Sequence, residues 1–382
     1  MNELERQPHF EAGPEIMKLP EISVAEEKGE ILLSIFFKGY DSSWGGHKHG
    51  LVTEVENFFE QNPLSEKTVK FLQGLKESTD DSANEEMLYE IALTLDRPER
   101  MDAVVEFVSK YKFLTRNLQV LQEELLVELR NLEALLPDDL KNKFKLAILD
   151  DTKKRNLNLE ETKKQIADLI DFFRPSPKTT KIKKIVILPT DFLYHEESGT
   201  AFEFGDTTIL RSHIDNPGNL EHEFLHSVIN PIVEKLSEKL TEEQKQKISK
   251  LGSYRLRVEE EYGDGYESLL CEELIRTYND VIQKGEKPLS YDDFVQKIGE
   301  IDDVHFLEIL QKNEKLKKRC AQLGIVTLED MKNKSKEYYT RFGEGELRGI
   351  IYKFYQKYIQ EKEKNNKITF EDFALKEFHK EF

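Results

Sequence analysis

Cysteine is nearly absent from this 382-residue chain, which has only Cys271 and Cys320. So few thiols exclude a disulfide scaffold and suit a reducing, cytoplasmic compartment. Long apolar runs are missing too. No stretch approaches the ~20 apolar residues of a membrane-spanning helix, and the first residues lack a basic segment followed by an apolar one. The expectation is a soluble protein with no membrane association. Positive charge is in deficit, with 56 Lys and Arg against 74 Asp and Glu, a net charge of -18. Nucleic acid is therefore not an expected partner, because phosphate binding needs clustered cations that displace counterions. The short basic runs at 178–184 and 315–319 are bounded by acidic or apolar residues and read as solvated edges. Internal repeats and long low-complexity tracts are also missing.

What is present is charge distributed along helices. A hydrophobic fraction of 38% beside 34% charged residues suits helices that each keep a long solvated face. The expected fold class is mostly α with a small β-sheet. A 3.6-residue apolar period runs from 52 to about 173 and predicts helices near 52–61, 66–77, 84–94, 99–111, 115–136 and 159–173. The strongest places Leu118, Leu121, Leu125, Val127, Leu129 and Leu132 on one broad side. Residues 1–20 read as an irregular lead-in, and the run at 30–37 as a short strand or a short buried helix. Arg174-Pro175-Ser176-Pro177 reads as a hinge. Beyond it, Lys184–Pro189 and Thr200–Arg211 carry strand signals, and after 285 the pattern is helical again. Three parts are expected: a helical portion over 1–174, a core over 175–285 and a helical extension over 286–382.

The core contains His222-Glu223-Phe224-Leu225-His226, an H-E-x-x-H pattern. Asn216 is a good N-cap and Pro217 a good first helical residue, so a helix should start just before it. On that helix His222 and His226 lie one turn apart on one face and can share an ion. Glu223 sits about 100° round, out of easy reach of the ion but close enough to take a proton from a water that zinc acidifies towards a pKa of about 7. Leu220, Phe224, Leu225, Val228 and Ile229 surround the helix, so it should be buried, and buried His and Glu side chains must be satisfied by something. The pattern also arises by chance; the helix start and apolar setting weigh against that. Pro231 should kink or end the helix.

A catalytic zinc ion needs three protein ligands and one open position. No third His follows at the appropriate spacing, which leaves the carboxylates of the helix expected from Tyr266. Its apolar stripe runs through Leu270, Leu274, Tyr278 and Val281. Glu267 falls in the middle of the stripe, Glu273 at one edge and Glu272 further round, so periodicity alone favours Glu267 or Glu273.

His222-Glu-Phe-Leu-His-Ser-Val-Ile-Asn-Pro231, then Tyr262-Gly263, then Glu272-Glu-Leu-Ile-Arg276 resembles a zincin-type, gluzincin-like metallopeptidase family. Its members carry H-E-F-x-H-x-x-x-N-P, a Tyr-Gly turn and a Glu-x-aliphatic-aliphatic-Arg helix. The resemblance extends over roughly 25–285, touching Glu30–Tyr40 and Leu88–Asp96. It departs from the family just after the turn, where Gly265-Tyr266 replaces the usual bulky aromatic. The resemblance implies a zincin-like core, Glu272 as third ligand and Arg276 holding that carboxylate. It also implies that an edge strand, for which Thr207–Arg211 is the candidate, pairs with an extended peptide. The expected function is a zinc-dependent hydrolase holding one Zn2+ through His222, His226 and Glu272, with Glu223 as general base. A peptide or protein substrate is favoured by resemblance alone. The alternative is a non-catalytic zincin-fold scaffold or interaction protein.

Other candidates read as bland. His47 and His49 lie in a glycine-rich loop with no third ligand nearby, and His195 and His213 flank the β segment. Tyr254, Tyr262 and Tyr266 could each donate to a tetrahedral intermediate, and sequence selects none of them. Cys271 reads as core, and Asp150-Asp151 lacks the spacing of a calcium loop.

Overall fold

The computed structural model describes residues 15–24, 32, 51–70, 92, 118–189, 200–204, 206–212, 217–252, 265–342 and 345–382. Leu32 is helical and buried; the rest of the 30–37 run lies outside the described residues, as do most of the helices expected at 66–77, 84–94 and 99–111. The described part is mostly helical with one small sheet, as the composition predicts.

The chain groups into two compact units. The first comprises Lys18–Asp168 and Lys181–Ser227 and carries the sheet. Strands β1 (Glu21–Val24), β2 (Lys184–Pro189), β3 (Thr200–Phe204) and β4 (Thr207–Ser212) lie in the order β1-β2-β4-β3. β1, β2 and β4 are parallel, and β3 runs antiparallel to β4. Ile185 pairs with Ile22 on one side and Thr208 on the other. Consecutive Ile185, Val186 and Ile187 are all buried, and so are Thr208, Ile209 and Leu210, the near-continuous apolar reading of strands covered on both faces.

This order corrects one expectation. Thr207–Arg211 is not an edge strand, because β4 is bonded to β2 and to β3. The hairpin returns β4 into the gap beside β2, where the Asp206 carbonyl accepts from the N–H groups of Lys183 and Lys184 at 2.7 and 3.0 Å. Among the described residues, β3 forms that edge of the sheet.

Helices of the first unit include α1 (Leu51–Gln61), α2 (Leu118–Leu135), α3 (Asp138–Leu157) and most of α4 (Leu159–Phe173). In α2 the buried stripe is Leu125, Leu129 and Leu132, one turn apart. Val127 is 48% exposed, so it does not belong to that stripe; two residues from Leu125 is about 200° round the helix. α3 packs on β1, β2 and α1, with Lys143 Nζ 2.5 Å from Glu54 Oε2.

The second unit comprises Met1–Met17, Leu169–Thr180 and Val228–Phe382. α4 stops at Arg174, whose φ of 49° is the left-handed conformation that closes a helix, and Pro175 prevents resumption. The helices that follow are α5 (Pro217–Ser237), which begins in the first unit, α6 (Glu242–Leu251) and α7 (Tyr266–Thr277), which continues as a π-helical turn over Tyr278–Ile282. Then come α8 (Tyr291–Gly299), α9 (Asp303–Lys312), α10 (Glu314–Gln322), α11 (Leu328–Asn333), α12 (Ser335–Phe342), α13 (Gly345–Lys364) and α14 (Phe370–Glu377).

Aromatic residues hold this unit together. Phe173, Phe354, Tyr355, Tyr358, Phe370 and Phe378 are fully buried. Tyr355 stacks on Phe370 at 5.3 Å, and Phe173 meets Phe370 edge-on at 5.1 Å. Their polar ends are satisfied: Tyr358 donates to the Phe172 carbonyl at 2.7 Å and Tyr355 to the Leu274 carbonyl at 3.1 Å. The carboxy-terminal helices thus pack directly on α7. Helices α8 to α12 gather around a further core that contains Ile298, Phe306, Cys320, Leu328 and Tyr338.

Candidate metal centre

The two histidines project from α5. Leu220, Phe224, Leu225, Val228, Ile229, Ile232, Val233 and Leu236 are all buried, so apolar contact surrounds the helix. Asn216 and its capping role lie outside the described residues. Pro231 does not end the helix, which continues to Ser237. Proline within a helix costs about 3 kcal/mol. Burial of Ile232, Val233 and Leu236 beyond it, at about 1.5–3 kcal/mol each, outweighs that cost.

His222 Nε2 and His226 Nε2 stand 3.3 Å apart. Two nitrogens bound tetrahedrally to one zinc ion at about 2.0–2.1 Å would stand about 3.3–3.4 Å apart. The pair therefore has the spacing that shared coordination requires. The same spacing also lets one neutral ring donate to the other. Glu272 supplies a third donor, and the ligand atoms of His222, His226 and Glu272 all lie within 4.8 Å of one another. Glu272 is buried and both histidines are half-buried, so these residues form a group able to hold a metal ion. A carboxylate beside two imidazoles is a donor set that suits a divalent cation. Glu223, on the same turn as His222, is also buried, at 9% exposure.

The structure separates the three competing glutamates. Glu267 is exposed rather than in the middle of the buried stripe; it accepts from Ser237 Oγ and, at 3.0 Å, from the Tyr266 hydroxyl. Glu273 is wholly buried, with Arg348 Nε 3.3 Å from its Oε2. Glu272 accepts from Arg276 Nε at 2.8 Å and is the one brought to the histidines. A stripe argument misjudges this helix because every residue from Leu269 to Ile275 is buried. With no solvent-facing side, apolar periodicity does not tell which carboxylate is used.

Tyr266 is tied to the carboxy-terminal end of α5, donating to Ser237 Oγ at 2.5 Å. Gly252, at the end of α6, brings the backbone so close to α7 that a Cβ there would lie 2.6 Å from Leu269 Cδ2. Cys271 is free and buried, and burial raises its thiol pKa well above the usual range, which makes it inert. Cys320 is likewise free and buried. His47, His49, His195, His213, Tyr254 and Tyr262 lie outside the described residues. Asp150, within α3, pairs with Lys154 at 2.9 Å on the surface.

Sequence reasoning did not single out Arg348. It was detectable as a charge within the apolar stripe of Leu347, Ile351, Tyr355 and Tyr358, because a charge in such a position requires a buried partner.

No protein-family profile, curated protein or solved structure matches this chain. No helix among the described residues is long and apolar enough to cross a membrane.

Proposed function

We propose that His222, His226 and Glu272 hold one zinc ion and that the chain is a zinc-dependent hydrolase, with the peptide bond as its favoured target. The observation that carries this reading is the convergence of two histidine Nε2 atoms at 3.3 Å with a buried glutamate from another helix. When bound, zinc polarises a scissile carbonyl and acidifies water in its open position. Glu223 takes the proton from the attacking water and returns it to the leaving amine. Glu223 is buried and follows His222 directly on α5. Arg276 holds Glu272 in a ligating orientation through the 2.8 Å bond. The preference for a peptide over another amide or an ester rests on resemblance to zincin-type metallopeptidases.

Replacing Glu223 with Gln separates binding from chemistry. The variant should keep the metal and lose peptide hydrolysis by at least about 10²-fold. Hydrolysis undiminished in Glu223→Gln would remove Glu223 from the mechanism. A metal-loaded wild type inert towards peptide libraries would favour a scaffold role instead.

A further inference from the structure

Glu272 and Glu273 are adjacent, acidic and buried, yet only Glu272 belongs to the metal-holding group. On a helix they point about 100° apart, so the rotational setting of α7 decides which of them meets the histidines. Composition does not choose between them, and neither does burial, since the whole turn is enclosed. The partners differ. Glu272 is held from within its own helix by Arg276, whereas Glu273 is held from α13 by Arg348.

We propose that Arg348 is a positioning residue for the metal centre, holding the Glu273 carboxylate out of the coordination shell so that Glu272 alone faces the histidines. The inference rests on the reading of His222, His226 and Glu272 as metal ligands. Arg348 is 7% exposed and grips α7 and its extension at two points. Its Nε lies 3.3 Å from Glu273 Oε2, and its Nη1 lies 3.5 Å from Asp280 Oδ2. Those carboxylates are seven residues apart and straddle the switch from α-helix to the π-helical turn at Tyr278. One planar guanidinium reaching both resists rotation of the helix in a way that a single contact does not. One turn on from Ile351 along the same stripe, Tyr355 anchors the same helix through the Leu274 carbonyl. That bond carries no charge and touches neither glutamate, which makes it a built-in control.

A carboxylate released beside a divalent ion competes for its open position, so losing the grip should alter coordination and not only stability. The test uses the full chain loaded with cobalt(II), whose visible spectrum reports the ligand set, together with zinc affinity by chelator competition. Arg348→Met is expected to change the cobalt spectrum and weaken zinc on the order of 10–100-fold. Arg348→Met combined with Glu273→Gln removes both buried charges and is expected to restore the wild-type spectrum. Tyr355→Phe should lower the thermal midpoint and leave the spectrum unchanged. If Arg348→Met does not fold, Arg348→Lys decides: the charge is kept, the two-point grip is lost, and an altered spectrum is expected.

An unchanged spectrum and affinity in Arg348→Met, or in Arg348→Lys where that variant decides, would overturn the positioning role while leaving the metal centre standing. A double variant that fails to restore the spectrum would overturn it equally. A wild-type chain that takes up neither cobalt nor zinc would instead sink the metal centre itself, and the role of Arg348 with it.

Discussion

Arg276 Nε donates to Glu272 Oε2 at 2.8 Å, one turn along the same helix. The glutamate is buried while the arginine is partly exposed, and the bond restrains the proposed ligand. Replacing Arg276 with Met should weaken metal binding about 10–100-fold, read by chelator competition. Unchanged affinity would mean that Glu272 needs no such support, or is not a ligand.

Glu272 and Glu267 of α7 should behave differently. Glu272→Ala is expected to abolish stoichiometric metal uptake. Glu267→Ala should retain it, losing only the exposed hydrogen bonds to Ser237 and Tyr266, at about 1 kcal/mol. Metal analysis of the two purified variants decides between them, and the reverse pattern would return the third ligand to the stripe position.

The aromatic core should matter more to stability than any exposed ion pair. Phe370 is fully buried and meets Phe173, Phe354, Tyr355 and Tyr358. Phe370→Ala should destabilise by about 3–5 kcal/mol in denaturant titration. By contrast, removing the Lys380–Glu377 ion pair at the surface should change stability far less. A small effect of Phe370→Ala would show that these carboxy-terminal helices pack less closely than the ring contacts indicate.

Close packing of α6 on α7 gives a further expectation. A Cβ at Gly252 would lie under 3 Å from both methyls of the buried Leu269, which must shift to admit it. Gly252→Ala should therefore cost about 1–3 kcal/mol through overpacking, visible as a lower midpoint of thermal unfolding. A neutral outcome would mean that Leu269 shifts freely.

Much of this fold was legible in local pattern, and the parts that were not have physical reasons. The period in α2 and α4 marks one apolar side, and the β-rich stretch before the motif marks β2, β3 and β4. Helix α3 is harder to read because apolar Leu146 and Leu149 are 67% and 46% exposed, which blurs the period. Four-residue β1 is too short to show alternation, and it is defined by pairing with β2, far along the chain. The placement of β4 inside the sheet depends on which strand it pairs with, which local pattern does not contain. At the site, the two histidines were legible because helical spacing alone puts them together. Periodicity favoured Glu267 or Glu273, and only resemblance to a family pointed to Glu272. Arg348 is 75 residues from its partner Glu273, so its role is set by tertiary packing.

The most direct test of the metal centre is the metal content of the purified chain, measured by elemental analysis beside His226→Ala. One zinc ion per chain in the wild type and its loss in a folded His226→Ala variant is the expected result. A wild type without zinc after loading, or a variant that retains it in full, would contradict coordination by His222, His226 and Glu272.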